Sequence, residues 1–121
     1  MKPNPTTVYR IQDAQGRGPF NSGQTETWAV MRKDTQNLQP WTQQFGEWMV
    51  KEAGKRKLAS GCTTITQLRR WFIPREYRTL VKRGYNAVEL RDCEVLAETD
   101  IQCVFARKEA LTVGAKTFDL Y

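Results

Sequence analysis

Residues 84–105, GYNAVELRDCEVLAETDIQCVF, bear most directly on the fold because their hydrophobic pattern repeats every two residues. Val88 and Leu90 alternate with charged neighbours, and a similar alternation returns over residues 101–105. A period of two is typical of β-strands, in which successive side chains point to opposite faces of a sheet. The stretch therefore predicts two strands, joined by the acidic connection Glu94–Asp100.

Two further strands are predicted outside this stretch. Val8–Gln12 contains β-branched and aromatic side chains and leads into Asp13–Phe20, a turn rich in Gly and Pro. Thr117–Tyr121 carries apolar residues that suit a short edge strand.

The clearest helical pattern covers Pro40–Ala53, where large apolar residues recur at i, i+4, i+7 and i+8. Proline near its start and glycine just after its end are typical helix boundaries. Asn21–Gln39 is mostly polar, and its small apolar cluster favours one short helix.

A pair of shorter helices is predicted after the basic segment that follows Ala53. Thr63 or Thr64 can cap a helix over Ile65–Phe72, and Gln67 would complete a capping box. The second helix starts at proline and runs over Pro74–Arg83, where a following glycine supplies the left-handed residue that ends it.

These elements predict one α+β domain over residues 1–121. We expect a small mixed or antiparallel sheet packed against three or so helices, namely Pro40–Ala53 and the pair between Thr64 and Arg83. The apolar fraction of 40% is sufficient for a folded core, and the sequence contains no internal repeat.

The composition excludes several classes of protein. Cys62, Cys93 and Cys103 are widely spaced and the sequence has no histidine, which excludes a zinc finger and a disulfide scaffold, so we predict buried, reduced thiols and no metal site. The absence of histidine also removes the commonest proton-transfer group, and no self-sufficient catalytic motif is present, so enzymatic activity is left open. No apolar stretch has the length of a signal peptide or a membrane span, so we expect a cytoplasmic protein.

The positive charge is concentrated in one quarter of the chain. The net charge is +6, and residues 55–83 hold nine basic residues against the single acid Glu76. We predict partner-binding roles for Lys55, Arg56, Lys57, Arg69, Arg70, Arg75, Arg78, Lys82 and Arg83. The partner would be an acidic protein surface or a nucleic-acid backbone. The alternative interpretation is that these side chains form only the solvated side of a helical pair.

Two arginines near the start of the chain are further candidates for binding. The loop Gly16–Pro19 can turn its N–H groups towards an anion, with Arg17 beside them as a donor, or it can be a shaped strand connection. Arg10 lies within the first strand, either on the wet face of the sheet or inside a cleft with an anionic partner. We favour the connection for the loop and the wet face for Arg10.

The segments YRIQD (9–13), GRGPF (16–20), QLRRWF (67–72), IQCVF (101–105) and FDLY (118–121) resemble a family of small uncharacterised proteins of bacteriophages, prophages and proteobacteria. The resemblance covers nearly the whole chain. It implies a mobile-element origin and suggests a protein that binds a host component, including a component of host defence, in the bacterial cytoplasm.

A more distant similarity is to ADP-ribosyltransferase-like folds. It implies NAD as a cofactor, Arg10 and Arg17 as cofactor-binding residues, and Glu98 or Gln102 in the catalytic position. The sequence has no carboxylate two residues after Gln102, which departs from the pattern of that fold. Our leading hypothesis is therefore non-catalytic binding through a basic surface with no cofactor, and the NAD-using enzyme, or an inactive derivative of it, is the alternative.

Overall fold

The computed structural model describes residues 6–19 and 58–121. The helix predicted over Pro40–Ala53, the polar segment before it and the basic residues Lys55–Lys57 lie outside the described residues. In chain order the elements are β1 (Thr6–Gln12), β2 (Leu58–Gly61), α1 (Ile65–Trp71), α2 (Pro74–Lys82), β3 (Asn86–Glu98), β4 (Cys103–Arg107) and β5 (Lys116–Phe118).

The strands of the described residues form one antiparallel sheet in the order β1-β3-β4-β2, with β5 paired to β3. The sheet curls until its two ends meet at Tyr9 and Cys62. Tyr9 N donates to Cys62 O at 2.7 Å, and Cys62 N donates to Tyr9 O at 2.8 Å. The result is a curled half-barrel, drawn together at one point by this pair of hydrogen bonds.

The long strand β3 joins the two halves of the sheet. Its first half pairs with β1 and β5, and its second half pairs with β4. Asp92, between the two halves, has a φ of 59°. Within the second half the register with β4 shifts between Val95 and Ala97. A left-handed residue and a bulge both bend a strand, so β3 can change partners without ending.

The helical pair agrees closely with the prediction. Thr64 is the N-cap of α1: its hydroxyl accepts from Gln67 N at 3.1 Å, and Gln67 Oε1 accepts from Thr64 N at 3.2 Å. This reciprocal pair is the predicted capping box. Helix α2 begins at Pro74, and Gly84 follows it with a φ of 92°, as the sequence indicated.

Two apolar clusters lie on opposite faces of the sheet. The helix-facing cluster joins Ile11 and Ala87 of the sheet to Leu68 and Trp71 of α1 and to Leu80 of α2. The second cluster is built by the following side chains of the strands: Val8, Val88, Leu90, Cys93, Cys103 and Phe105. All three cysteines are buried and free, as predicted.

The predicted α+β class is wrong. The described residues are mostly β, with a curled antiparallel half-barrel and only two short helices. Two segments that we interpreted as connections are strands: Leu58–Gly61 pairs with β4, and Glu94–Glu98 continues β3. Neither segment has strong strand propensity, so their conformation follows from pairing with β4.

Candidate functional site

Helix α2 presents a cationic face to solvent. Arg75, Arg78 and Lys82 are exposed, and their spacing places them within about 60° of arc around the helix. Tyr77 and Leu80 are buried on the opposite side, so α2 cannot rotate to hide its cations without exposing core side chains. We call Arg75, Arg78 and Lys82 the α2 cationic face.

The α2 cationic face has no carboxylate partner among residues 6–19 and 58–121. The acid nearest to it in sequence, Glu76, is directed inwards: it is 1% exposed, and its Oε1 accepts from Ile73 N at 3.0 Å. This bond satisfies a main-chain donor at the start of α2. The three cations are therefore not neutralised by the described acids.

The other predicted binding residues that the structure describes differ from these three because they interact within the protein. Arg69 is exposed but bound internally: its Nε donates to Leu120 O at 2.8 Å, and its guanidinium carbon lies 5.4 Å from the centre of the Tyr121 ring. Arg70 and Arg83 are exposed as well, and each also interacts within the protein. Of the six predicted residues that the structure describes, it brings three together with no carboxylate partner among the described residues.

Two exposed hydrophobic side chains lie in or beside the helices. Val81 is 42% exposed and immediately precedes Lys82, although it lies about one helical turn after the buried Tyr77. Tyr121 is 45% exposed, and its hydroxyl donates to Phe72 O at 2.5 Å. Its ring lies 6.1 Å from that of Tyr77, which is part of α2. No local sequence signal distinguishes these two residues from buried ones.

The loop after β1 uses its donors within the chain. Asp13 Oδ1 accepts from the main-chain N–H groups of Gln15 and Arg17, each at 2.9 Å, and Asp13 Oδ2 accepts from Arg17 Nε at 2.9 Å. Burial raises the pKa of Asp13, but the hydrogen bonds from Arg17 and Gln15 outweigh this and hold it below its usual value. Arg17 is thus an ion-pair partner of Asp13 in a shaped strand connection.

Arg10 is buried, and the wet face that we favoured for it is wrong. Its side chain lies on the inner face of β1 with Val8 and Gln12, and the residue is 8% exposed. Burial lowers the pKa of Arg10 to about 10, which leaves the guanidinium charged at neutral pH. The strand period places Arg10 on one face with the apolar Val8, since residues i and i+2 share a face, but it does not show that this face is buried.

The two residues suggested for the catalytic position lie at the far end of β3 and just after it. Glu98 is exposed and accepts a hydrogen bond from the Thr63 hydroxyl. Gln102 is buried in the turn before β4, where its carbonyl accepts from Thr99 N at 2.8 Å. Neither is hydrogen-bonded to Arg10. Among the described residues there is also no group of three or more acidic or cysteine side chains that could hold a metal ion.

No helix in the part of the chain that the structure describes is long and apolar enough to cross a membrane.

Comparison with curated proteins and with solved structures found no match. The similarity to ADP-ribosyltransferase-like folds is not supported. In contrast, residues 1–119 match the sequence family described as bacteriophage T4 Y00F protein, which agrees with the resemblance to phage proteins. Since the match covers nearly the whole sequence, the chain belongs to the bacteriophage T4 Y00F protein family.

Proposed function

We propose that this phage-family protein acts by non-catalytic binding, and that the α2 cationic face docks on an acidic protein surface of the bacterial host, in its cytoplasm. The observation that carries the proposal is the group of three exposed cations on one helix face, with no carboxylate partner among the described residues. Charges of one sign on one face steer the approach of an oppositely charged partner and accelerate association.

An acidic protein fits this surface better than a nucleic-acid backbone. Proteins that bind DNA through its phosphates typically make about 6 to 10 phosphate contacts, whereas the α2 cationic face offers three side chains. Val81, next to Lys82 in α2, is also exposed, as is Tyr121 beside α1. Arginine together with exposed aromatic and apolar side chains is typical of protein interfaces.

Charge reversal tests this function. The variant Arg75→Glu/Arg78→Glu/Lys82→Glu removes the α2 cationic face, and the variant Arg91→Glu/Lys108→Glu/Lys116→Glu makes the same change of net charge at exposed positions elsewhere. Both variants and the wild type would be used to capture partners from bacterial lysate, with and without nuclease treatment. Circular dichroism would establish that both variants are folded.

We expect the wild type and the control variant to retain a protein partner after nuclease treatment, and the α2 variant to lose it. Equal capture by the two variants would show that the α2 cationic face is not the docking surface. Capture that disappears when nucleic acid is digested would instead assign the surface to RNA or DNA.

A further inference from the structure

Two polar side chains lie side by side on the inner face of the half-barrel. Arg10 and Gln12 are two residues apart on β1, which places their Cα atoms about 7 Å apart on the same face. Their cross-strand partners on β3 are Val88 and Asn86. Arg10 is 8% exposed and Gln12 is 3% exposed, so both side chains extend into an otherwise apolar part of the sheet.

Three polar atoms of this pair are buried without a hydrogen-bond partner among the described residues: Arg10 Nε, Arg10 Nη1 and Gln12 Oε1. The orientation of the Gln12 amide follows from its other atom. Gln12 Nε2 donates to Leu111 O at 2.8 Å, and a carbonyl can only accept, so the oxygen of the amide must be the atom left over. The site therefore offers two charged donors and one neutral acceptor.

No described carboxylate is hydrogen-bonded to Arg10. Asp13 acts electrostatically on Arg10, but its two oxygens accept from Arg17 and Gln15. The thiols of Cys93 and Cys103 also act on it, yet burial raises the pKa of both, that of Cys103 to about 12. They stay protonated and neutral at physiological pH. A buried cation without a counter-charge is unfavourable, and buried charges in proteins are normally paired.

The loop between β1 and Pro19 approaches the guanidinium closely. A Cβ atom on Gly18 would lie 3.0 Å from Arg10 Nη2, so only glycine lets the loop backbone pass here without displacing the guanidinium. On the other side of the loop Gly16 packs against Leu111, with 3.2 Å between its Cβ position and Leu111 Cβ. The loop thus contacts Arg10 through Gly18 and Leu111 through Gly16.

We propose that Arg10 and Gln12 form a binding site for a small oxyanion, a phosphate ester or a carboxylate, that carries a neighbouring hydroxyl or amino donor. The oxyanion accepts a charge-assisted hydrogen bond from the Arg10 guanidinium. The hydroxyl or amino group donates to Gln12 Oε1. A water molecule would satisfy the same hydrogen bonds but would not neutralise the charge. The site lies apart from the α2 cationic face and does not depend on the function proposed for it.

Matched pairs of small molecules test both halves of the site. Thermal unfolding of the full chain would be followed with acetate against lactate, and with methyl phosphate against glycerol 3-phosphate, at constant ionic strength set with chloride. Within each pair the second compound adds hydroxyl groups. We expect the second member of at least one pair to raise the Tm by several degrees over chloride alone, because a ligand that binds only the folded state stabilises it.

Two variants separate the roles of the residues. Arg10→Met is expected to have a higher Tm than the wild type in chloride and to lose the shift produced by the oxyanion. Gln12→Leu is expected to retain binding of the simple anion and to lose the preference for the hydroxyl-bearing member of the pair. Removing the charged donor should weaken binding roughly 10- to 100-fold.

A further measurement uses only the wild type and so does not depend on whether a variant folds. The 15N-detected Nε–H resonance of Arg10 should shift on titration with the favoured oxyanion and should saturate with it. If neither pair raises the Tm of the wild type more than that of Arg10→Met, or if the Arg10 resonance does not move, Arg10 is a structural residue and the proposal is wrong.

Discussion

Trp71 and Ile101 are joined by a hydrogen bond of 2.7 Å, in which the indole Nε1 of Trp71 donates to the main-chain carbonyl of Ile101. The same carbonyl also accepts from Cys62 Sγ at 3.7 Å. Three parts of the fold therefore meet at one oxygen atom. They are helix α1, the turn before β4, and Cys62, which closes the sheet against β1. Loss of the Trp71 hydrogen bond should therefore weaken the packing of all three parts.

Replacement of Trp71 by phenylalanine should destabilise the protein by about 1–3 kcal/mol, because the Ile101 carbonyl loses its best donor and the smaller ring packs less well. Urea unfolding followed by far-UV circular dichroism would measure the change. Thr66→Ala, at an exposed position of α1, is the matched control and should alter the free energy of unfolding by less than about 0.5 kcal/mol. Equal effects of the two substitutions would contradict a structural role for the indole.

Gly61, the last residue of β2, lies against Val8 and Tyr9 of β1. A Cβ atom there would lie 2.5 Å from Val8 Cγ1 and 3.1 Å from Tyr9 O. Gly61→Ala should therefore destabilise the protein by about 1–3 kcal/mol through overpacking. In a Val8→Ala background the side-chain clash is absent, so the same substitution should cost less. A double-mutant cycle from urea unfolding would measure this coupling, and additive effects would argue against the clash.

The buried thiols should make the protein less stable in alkali. Burial raises the pKa of Cys62, Cys93 and Cys103 in the folded state, whereas an unfolded thiol titrates at about 8.5. Above that pH the unfolded state releases protons that the folded state keeps, so the free energy of unfolding should fall as the pH rises. Arg10 acts with the opposite sign, because its lowered pKa disfavours the folded state and this penalty is relieved only as the pH rises above about 10.

Urea unfolding between pH 7.5 and about 9.5 would therefore isolate the effect of the thiols. Cys103→Ala should shift the whole curve and also reduce its slope. A slope that is unchanged in this variant would show that Cys103 does not titrate on unfolding in this range.

Binding through the α2 cationic face should depend on ionic strength. The cations are exposed, and added salt shortens the distance over which exposed charges interact, from about 10 Å at 0.1 M to about 3 Å at 1 M. The association rate of the wild type with a captured partner should fall as sodium chloride is raised, as measured by surface plasmon resonance. For Arg75→Glu/Arg78→Glu/Lys82→Glu we expect little or reversed dependence. A wild-type rate that is insensitive to salt would contradict electrostatic docking.

The helices were predictable because their boundaries are encoded locally. Thr64 and Gln67 form the capping box within four residues, and Pro74 and Gly84 mark the ends of the next helix. In contrast, strand β2 has ordinary local propensity and becomes a strand because β4 lies beside it. The continuation of β3 beyond Asp92 likewise depends on a partner distant in sequence, which a local pattern does not reveal.

The candidate sites were predictable to different degrees. The spacing of Arg75, Arg78 and Lys82 was sufficient to predict one cationic face, since a helix buries its opposite side. Arg10 was harder, because the alternation of a strand shows which residues share a face but does not show which face is buried. Its burial follows from the curl of the sheet, which encloses the face that carries Val8, Arg10 and Gln12.

The sharing of β3 among three partners has a kinetic consequence. Val88 pairs with Arg10 on one side and with Thr117 on the other. Its two partners therefore come from distant parts of the polypeptide. Such topologies have high contact order and fold more slowly than helical bundles of similar size. On the ribosome, β1 would emerge long before its partner and would remain unpaired until β3 had been synthesised.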